Sequence, residues 1–139
     1  MAEVGEEKKQ ILVIDDEPDV IVYLTQLLED NGYAVSSAAD AEEGTGKVAA
    51  ARPDLITLDI SMPEKSGVRF YREMRSDEEL KKIPIVIVTG VSSTQDGGTG
   101  TDFKRFLSTR KELSPPDGFI MKPIDQGEFL DTVAKLLKA

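Results

Sequence analysis

The chain has 139 residues, of which 40% are hydrophobic, enough for one domain with a real core. Seventeen basic residues against 26 acidic ones leave a formal charge of −9, which repels phosphate backbones and anionic lipid and argues against a nucleic-acid or membrane partner. Cysteine and histidine are both absent, which excludes disulfides and Ser-His-Asp or Cys-His catalysis, leaves structural zinc almost no ligands, and rules out a phosphohistidine on this chain.

Residues 1–9 are polar and charged and read as a flexible tail ahead of a domain spanning 10–139. They lack the apolar core of a signal peptide, and no later stretch has the length of a membrane span, so cytoplasmic residence is expected. Ile11–Ile14 is a short apolar run, the mark of a strand buried on both faces. Val20, Leu24, Leu27 and Leu28 then form one stripe of a helix that starts at Pro18 and stops near Asn31-Gly32. Ala34–Ala38 is a weaker strand, and Asp40 with Glu43 resembles a capping box for a second helix with a thin apolar face. Leu55–Leu58 is the third strand; Val68, Tyr71 and Met74 mark the third helix; Ile85–Val88 is the fourth strand.

The stretch 91–118 exceeds the roughly 20 residues that a loop, a mean-length helix and a second loop need. Ser92–Gly100 has loop composition, and its glycines match neither phosphate-binding fingerprint. Phe103, Phe106 and Leu107 lie at helical spacing before Ser114-Pro115-Pro116. Phe119–Met121 is the fifth strand, and Phe129, Val133, Leu136 and Leu137 mark a last helix capped by Asp125 with Glu128. Five βα units of this kind predict a parallel α/β sheet covered on both faces, with an enlarged region between the fourth and fifth strands.

Polar residues close the strands. Asp15 and Asp16 follow the first, Asp59 the third, Thr89 the fourth and Lys122 the fifth. In an open α/β sheet the carboxyl ends of the strands share one rim, where ligands bind. Taken singly, Asp15-Asp16-Glu17-Pro18 is a helix start, Asp59 a loop acid, Thr89 a strand-end hydroxyl and Lys122 a solvated charge. Their conjunction at four strand ends is what carries a functional reading. Carboxylates about 4 Å apart repel by about 4 kcal/mol per pair at an effective dielectric near 20, so a cation belongs among them. Mg²⁺ suits oxygen ligands, and Lys122 adds a second positive charge. A nucleophilic carboxylate, neutralising charges and a hydroxyl are what phosphoryl transfer requires.

Four segments, Ile11-Leu12-Val13-Ile14-Asp15-Asp16-Glu17, Pro53–Pro63 followed by Gly67, Pro84–Thr89, and Phe119-Ile120-Met121-Lys122-Pro123, together resemble the receiver domains of two-component response regulators, over Ile11 to Leu137. The resemblance implies a flavodoxin-like, doubly wound five-stranded sheet of order 2-1-3-4-5. It implies that Asp59 is the phosphoacceptor, that Asp16, Asp59 and the Ser61 backbone carbonyl ligate Mg²⁺, and that Asp15 acts through a bound water. Lys122 would pair with the carboxylate and then the phosphoryl group, ahead of a cis Lys122-Pro123 bond. Thr89 and Phe119 would form the switching pair, and Ser61 and Val91 would govern the approach of water. Such a domain signals and does not turn over substrate. Its phosphoryl donor is a histidine kinase or histidine phosphotransfer protein, and its downstream target is a protein. The basic residues Lys104, Arg105, Arg110 and Lys111 make 91–118 a candidate docking segment. A stand-alone regulator is expected. The alternatives are a receiver within a larger regulator or hybrid kinase, a phosphorylation-independent interaction module, and, remotely, a Mg²⁺-dependent aspartyl-phosphate phosphatase.

Overall fold

The computed structural model describes residues 8–60, 66–90 and 116–138. The five strands are β1 (Gln10–Ile14), β2 (Ala34–Ala38), β3 (Leu55–Leu58), β4 (Ile85–Gly90) and β5 (Gly118–Lys122). They are all parallel, in the order β2-β1-β3-β4-β5. The helices among the described residues are α1 (Pro18–Asp30), α2 (Ala41–Ala50), α3 (Ser66–Ser76) and α4 (Gln126–Lys138). This is the doubly wound flavodoxin-like sheet that the sequence predicts. None of these helices is long and apolar enough to cross a membrane.

Strand alternation divides the core into two layers. Leu12, Ile14, Ile56, Leu58, Ile85 and Ile87 face one side, where Phe70, Tyr71 and Met74 of α3 and Val48 of α2 cover them. Ile11, Val13, Leu55, Val86, Val88 and Ile120 face the other, under Leu24 and Leu28 of α1 and Phe129 and Val133 of α4. Burial on both faces explains why these strands read as unbroken apolar runs.

The helix ends follow their sequence signals closely. At the end of α1, Tyr33 N–H donates to the Leu28 carbonyl and Gly32 N–H to that of Glu29, both at 3.1 Å. Gly32 has φ +92°, so the pair forms a Schellman turn, which glycine adopts without steric penalty. For α2, Asp40 Oδ1 accepts from Glu43 N–H, while the Glu43 carboxylate reaches back to Ala39 N–H, both at 2.8 Å. The box therefore closes one residue earlier than the motif predicts. Asp125 Oδ1 caps α4 by accepting from Glu128 N–H at 2.9 Å.

Two features are absent from the sequence reading. A 3₁₀ turn, Leu80–Lys82, precedes β4, with Asp77 Oδ1 accepting from Glu79 and Leu80 N–H at its start. Beside it, the Arg75 guanidinium is only 3% exposed and donates to Asp117 at 2.7 Å, and to the carbonyls of Lys81 and Ile83 at 2.9 and 3.1 Å. It also lies 5.2 Å from the centre of the Tyr71 ring. Burial pulls the Arg75 pKa down, yet the hydrogen bonds to Asp117 and Tyr71 outweigh it and leave a net upward shift. Because Asp117 Oδ2 also accepts from Ile85 N–H at 2.9 Å, this one cation joins the end of α3 to the starts of β4 and β5.

Candidate functional site

Strand order reverses between β1 and β3, and the first residues beyond those two strands are carboxylates. The Ile14 carbonyl accepts from Asp59 N–H at 3.0 Å, and Asp15 N–H donates to the Ala38 carbonyl at 3.1 Å. The sheet ladder thus continues far enough to hold both side chains at the rim. Asp15 is 1% exposed and Asp59 2%, whereas Asp16 is exposed. One oxygen from each of Asp15, Asp16 and Asp59 lies within 4.8 Å of the others.

Lys122, the last residue of β5, reaches this cluster from the far side of β4. Its Nζ lies 3.3 Å from Asp15 Oδ2, 3.5 Å from Glu17 Oε1 and 3.8 Å from Asp59 Oδ2. Burial lowers its pKa, but the charges of Asp59, Asp15 and Glu17 outweigh that and raise it, so the ammonium stays protonated. The Asp15 pKa is pushed up to about 6, first by burial and further by the Asp59 charge, against the opposing pull of the Glu17 N–H and Lys122. One lysine does not neutralise three clustered carboxylates and Glu17.

That imbalance tests the fit of a divalent cation. The donors are hard carboxylate oxygens, close enough together to share one ion, and two of the three have lost most of their hydration. A set with no nitrogen or sulfur donor suits Mg²⁺.

Thr89 lies near the end of β4, its backbone opposite Met121 of β5, and the strand runs two residues further than predicted, to Gly90 opposite Lys122. Phe119, opposite Ile87, is half-buried and packs against the α2–α3 layer. The Lys122-Pro123 bond is cis. Ser61, Val91 and the helical segment expected around Phe103–Leu107 lie outside the described residues, as does most of 91–118. Sequence reasoning did not identify Glu17 as a partner of Lys122. The structure brings it there because Asp15 Oδ1 accepts from Glu17 N–H at 2.9 Å, turning the chain back over the rim.

A family model, the response regulator receiver domain, matches residues 11–134. Protein PilH of Pseudomonas aeruginosa is 30% identical over 128 residues, covering 92% of this chain and 97% of PilH. The DNA-binding dual master transcriptional regulator RpaA of Synechocystis is 33% identical over 129 residues, covering 93% of this chain and 49% of RpaA. The chain therefore spans about half the length of RpaA and nearly all of PilH. Among solved structures, chemotaxis protein CheY4 of Vibrio cholerae aligns with a TM-score of 0.76 at 26% identity, covering 94% of this chain and 100% of that one. The signal receiver domain of a signal transduction histidine kinase from Syntrophus aciditrophicus gives 0.78 at 28% identity, covering 94% and 90%. In sequence and in fold, the chain belongs to the response regulator receiver domain family of two-component signalling.

Proposed function

We propose that this receiver takes a phosphoryl group onto Asp59 from a histidine kinase or histidine phosphotransfer protein, in the presence of Mg²⁺, and signals through altered contacts with a protein target. The observation that carries the reading is the Asp59 carboxylate, 2% exposed and 3.8 Å from Lys122 Nζ, in a cluster with Asp15 and Asp16. Asp15, Asp16 and Asp59 would hold the cation, with the Ser61 carbonyl as the further ligand implied by the resemblance. Bound there, Mg²⁺ supplies charge that offsets the negative charge on the phosphoryl oxygens.

The remaining work falls to the chain itself. An Asp59 carboxylate oxygen forms the new bond to phosphorus as the donor's P–N bond breaks, and the departing imidazole keeps the electron pair and takes a proton from water. Lys122, now shared among Asp15, Glu17 and Asp59, moves onto the phosphoryl oxygens and neutralises part of their charge. Asp15 stays behind, anchored by its bond from Glu17 N–H. Thr89 and Phe119, on adjacent strands, are the proposed coupling pair, and the phosphoryl group shifts a pre-existing equilibrium toward the active arrangement. With no histidine among these 139 residues, the donor histidine lies outside this domain.

The chain covers nearly all of PilH and about half of RpaA, so its relatives include both a receiver-sized protein and a longer regulator. The full reading frame decides between them. The test of the phosphoacceptor is intact-mass measurement after incubation with acetyl phosphate. Wild-type protein should gain one phosphoryl group with Mg²⁺ and none with EDTA, and Asp59→Asn should gain none. Equal uptake by Asp59→Asn overturns the proposal.

A further inference from the structure

On the side of the sheet away from α1 and α4, a cleft of about 380 Å³ opens between α2 and α3. Its origin lies in the composition of α2. Gly44 lets that helix settle on β1, since a Cβ there would lie 2.8 Å from Ile14 Cδ1. Thr45 and Ala49, one turn apart on the same face, are too short to fill the space in front of α3. The floor is apolar: Val48, Phe70 and Met74 lie beneath it almost fully buried, and Thr45, Ala49 and Leu80 form its accessible surface. Arg52 and Glu79 pair at 3.7 Å across one end. Glu73 stands on the lip and also borders a second hollow of about 320 Å³, where Glu42 and Arg69 lie. No ion pair of Glu73 occurs among the described residues. Across both hollows the charged lining is four acidic residues against two basic ones.

The volume falls within the roughly 300–1,000 Å³ of small-molecule sites, and an apolar floor with a carboxylate on the lip selects an apolar body carrying a positive charge. We infer that the α2–α3 cleft is a binding site for a small amphipathic organic cation, an aryl or alkyl amine whose apolar part lies against Thr45, Ala49 and Leu80 and whose ammonium pairs with Glu73, and that its occupancy is coupled to the state of Asp59.

The coupling has a physical route. Gly67, in the first turn of α3, packs so tightly on the candidate phosphoacceptor that a Cβ there would lie 2.6 Å from the Asp59 carbonyl oxygen and 2.7 Å from Ile60 Cα. Phe70, one turn further along the same helix, lines the cleft. A ligand that leans on α3 therefore leans on the peptide that carries Asp59, and the effect must be reciprocal. This second part rests on the reading of Asp59 given above, while the binding site itself does not.

The test is amide NMR titration of the full chain with phenethylamine as the cationic probe and hydrocinnamate as its anionic counterpart. Phenethylamine should give saturable shifts at Val48, Ala49 and Met74, with hydrocinnamate at least about 5-fold weaker. Glu73→Gln should weaken the amine by about 3-fold, as expected for an exposed charge pair. Ala49→Leu, which fills the cleft with a good helix former, should abolish the shifts while the spectrum of β1 and α4 stays unchanged. Equal affinity for the two probes, undiminished binding in Ala49→Leu, or displacement of the amine by a basic amphipathic peptide that binds more tightly each overturns the site. In protein phosphorylated on Asp59 by acetyl phosphate, the amine affinity should change by about 5-fold or more. An unchanged affinity in that protein overturns the coupling, whereas failure of Asp59 to be phosphorylated counts against the reading of Asp59 and leaves the binding result standing.

Discussion

Adding one methyl group at Gly67 should destabilise the protein, while the same change at Gly46 should stabilise it. Both glycines lie in helices, α3 and α2, where alanine is intrinsically favoured by about 1 kcal/mol. At Gly46 a Cβ meets nothing within 4 Å, so most of that gain should appear, about 0.5–1 kcal/mol. At Gly67 the new atom would meet the Asp59 carbonyl oxygen at 2.6 Å and Ile60 Cα at 2.7 Å. Both obstacles are backbone, so no side-chain rotation relieves them. Overpacking of this kind costs about 1–3 kcal/mol, and backbone contacts place it at the upper end. Net of the helix gain, Gly67→Ala should lose roughly 1–2 kcal/mol and lower the urea midpoint by about 0.5–1 M for a typical slope near 2 kcal/mol/M. Because the displaced peptide is that of Asp59, phosphorylation by acetyl phosphate should slow as well. Urea unfolding of the two variants beside wild type is the assay, and a Gly67→Ala protein as stable as wild type would refute the close packing of α3 on Asp59.

Removing the buried cation by Arg75→Ala should cost roughly 2–4 kcal/mol in urea unfolding, somewhat less than a fully buried pair because Asp117 is 37% exposed; a loss below 1 kcal/mol would count against the joint it forms. In EDTA, Asp59→Asn should raise the melting temperature by relieving like-charge repulsion at the rim, and added Mg²⁺ should then stabilise wild type more than the variant. Acidification should expose the strain at Asp15, whose folded pKa of about 6 lies above the unfolded value near 3.9. Between these values the folded state binds the proton first, so in EDTA stability should rise as pH falls from about 6 toward 4, the reverse of the usual carboxylate trend, and Asp15→Asn should remove that slope. A slope that persists in Asp15→Asn would assign the effect to other groups.

The strands and the rim were legible for one reason. A strand buried on both faces admits few polar residues, Thr57 within β3 being an exception, so the acid, hydroxyl or lysine that closes each apolar run lies at or beside its carboxyl end. Asn31-Gly32 announced the end of α1 equally well, since the Schellman turn needs a residue at positive φ. Arg75 was not legible, because an arginine in a helix ordinarily reads as surface, and its partner Asp117 lies 42 positions away. Glu17 was hidden for a similar reason: only the turn made by Asp15 brings it over Lys122. The α2–α3 cleft comes from what α2 lacks, and a thin apolar stripe predicts poor packing without saying where the gap opens. Ser61, Val91 and the segment before β5 lie outside the described residues.

The most direct measurement is reductive trapping. Protein incubated with Mg²⁺ and acetyl phosphate is treated with borohydride, which reduces an acyl phosphate to an alcohol, and the modified position is read by peptide sequencing in a mass spectrometer. Conversion of the Asp59 side chain alone is the expected result. Conversion at Asp15, Asp16 or any other acid with Asp59 intact would contradict the assignment.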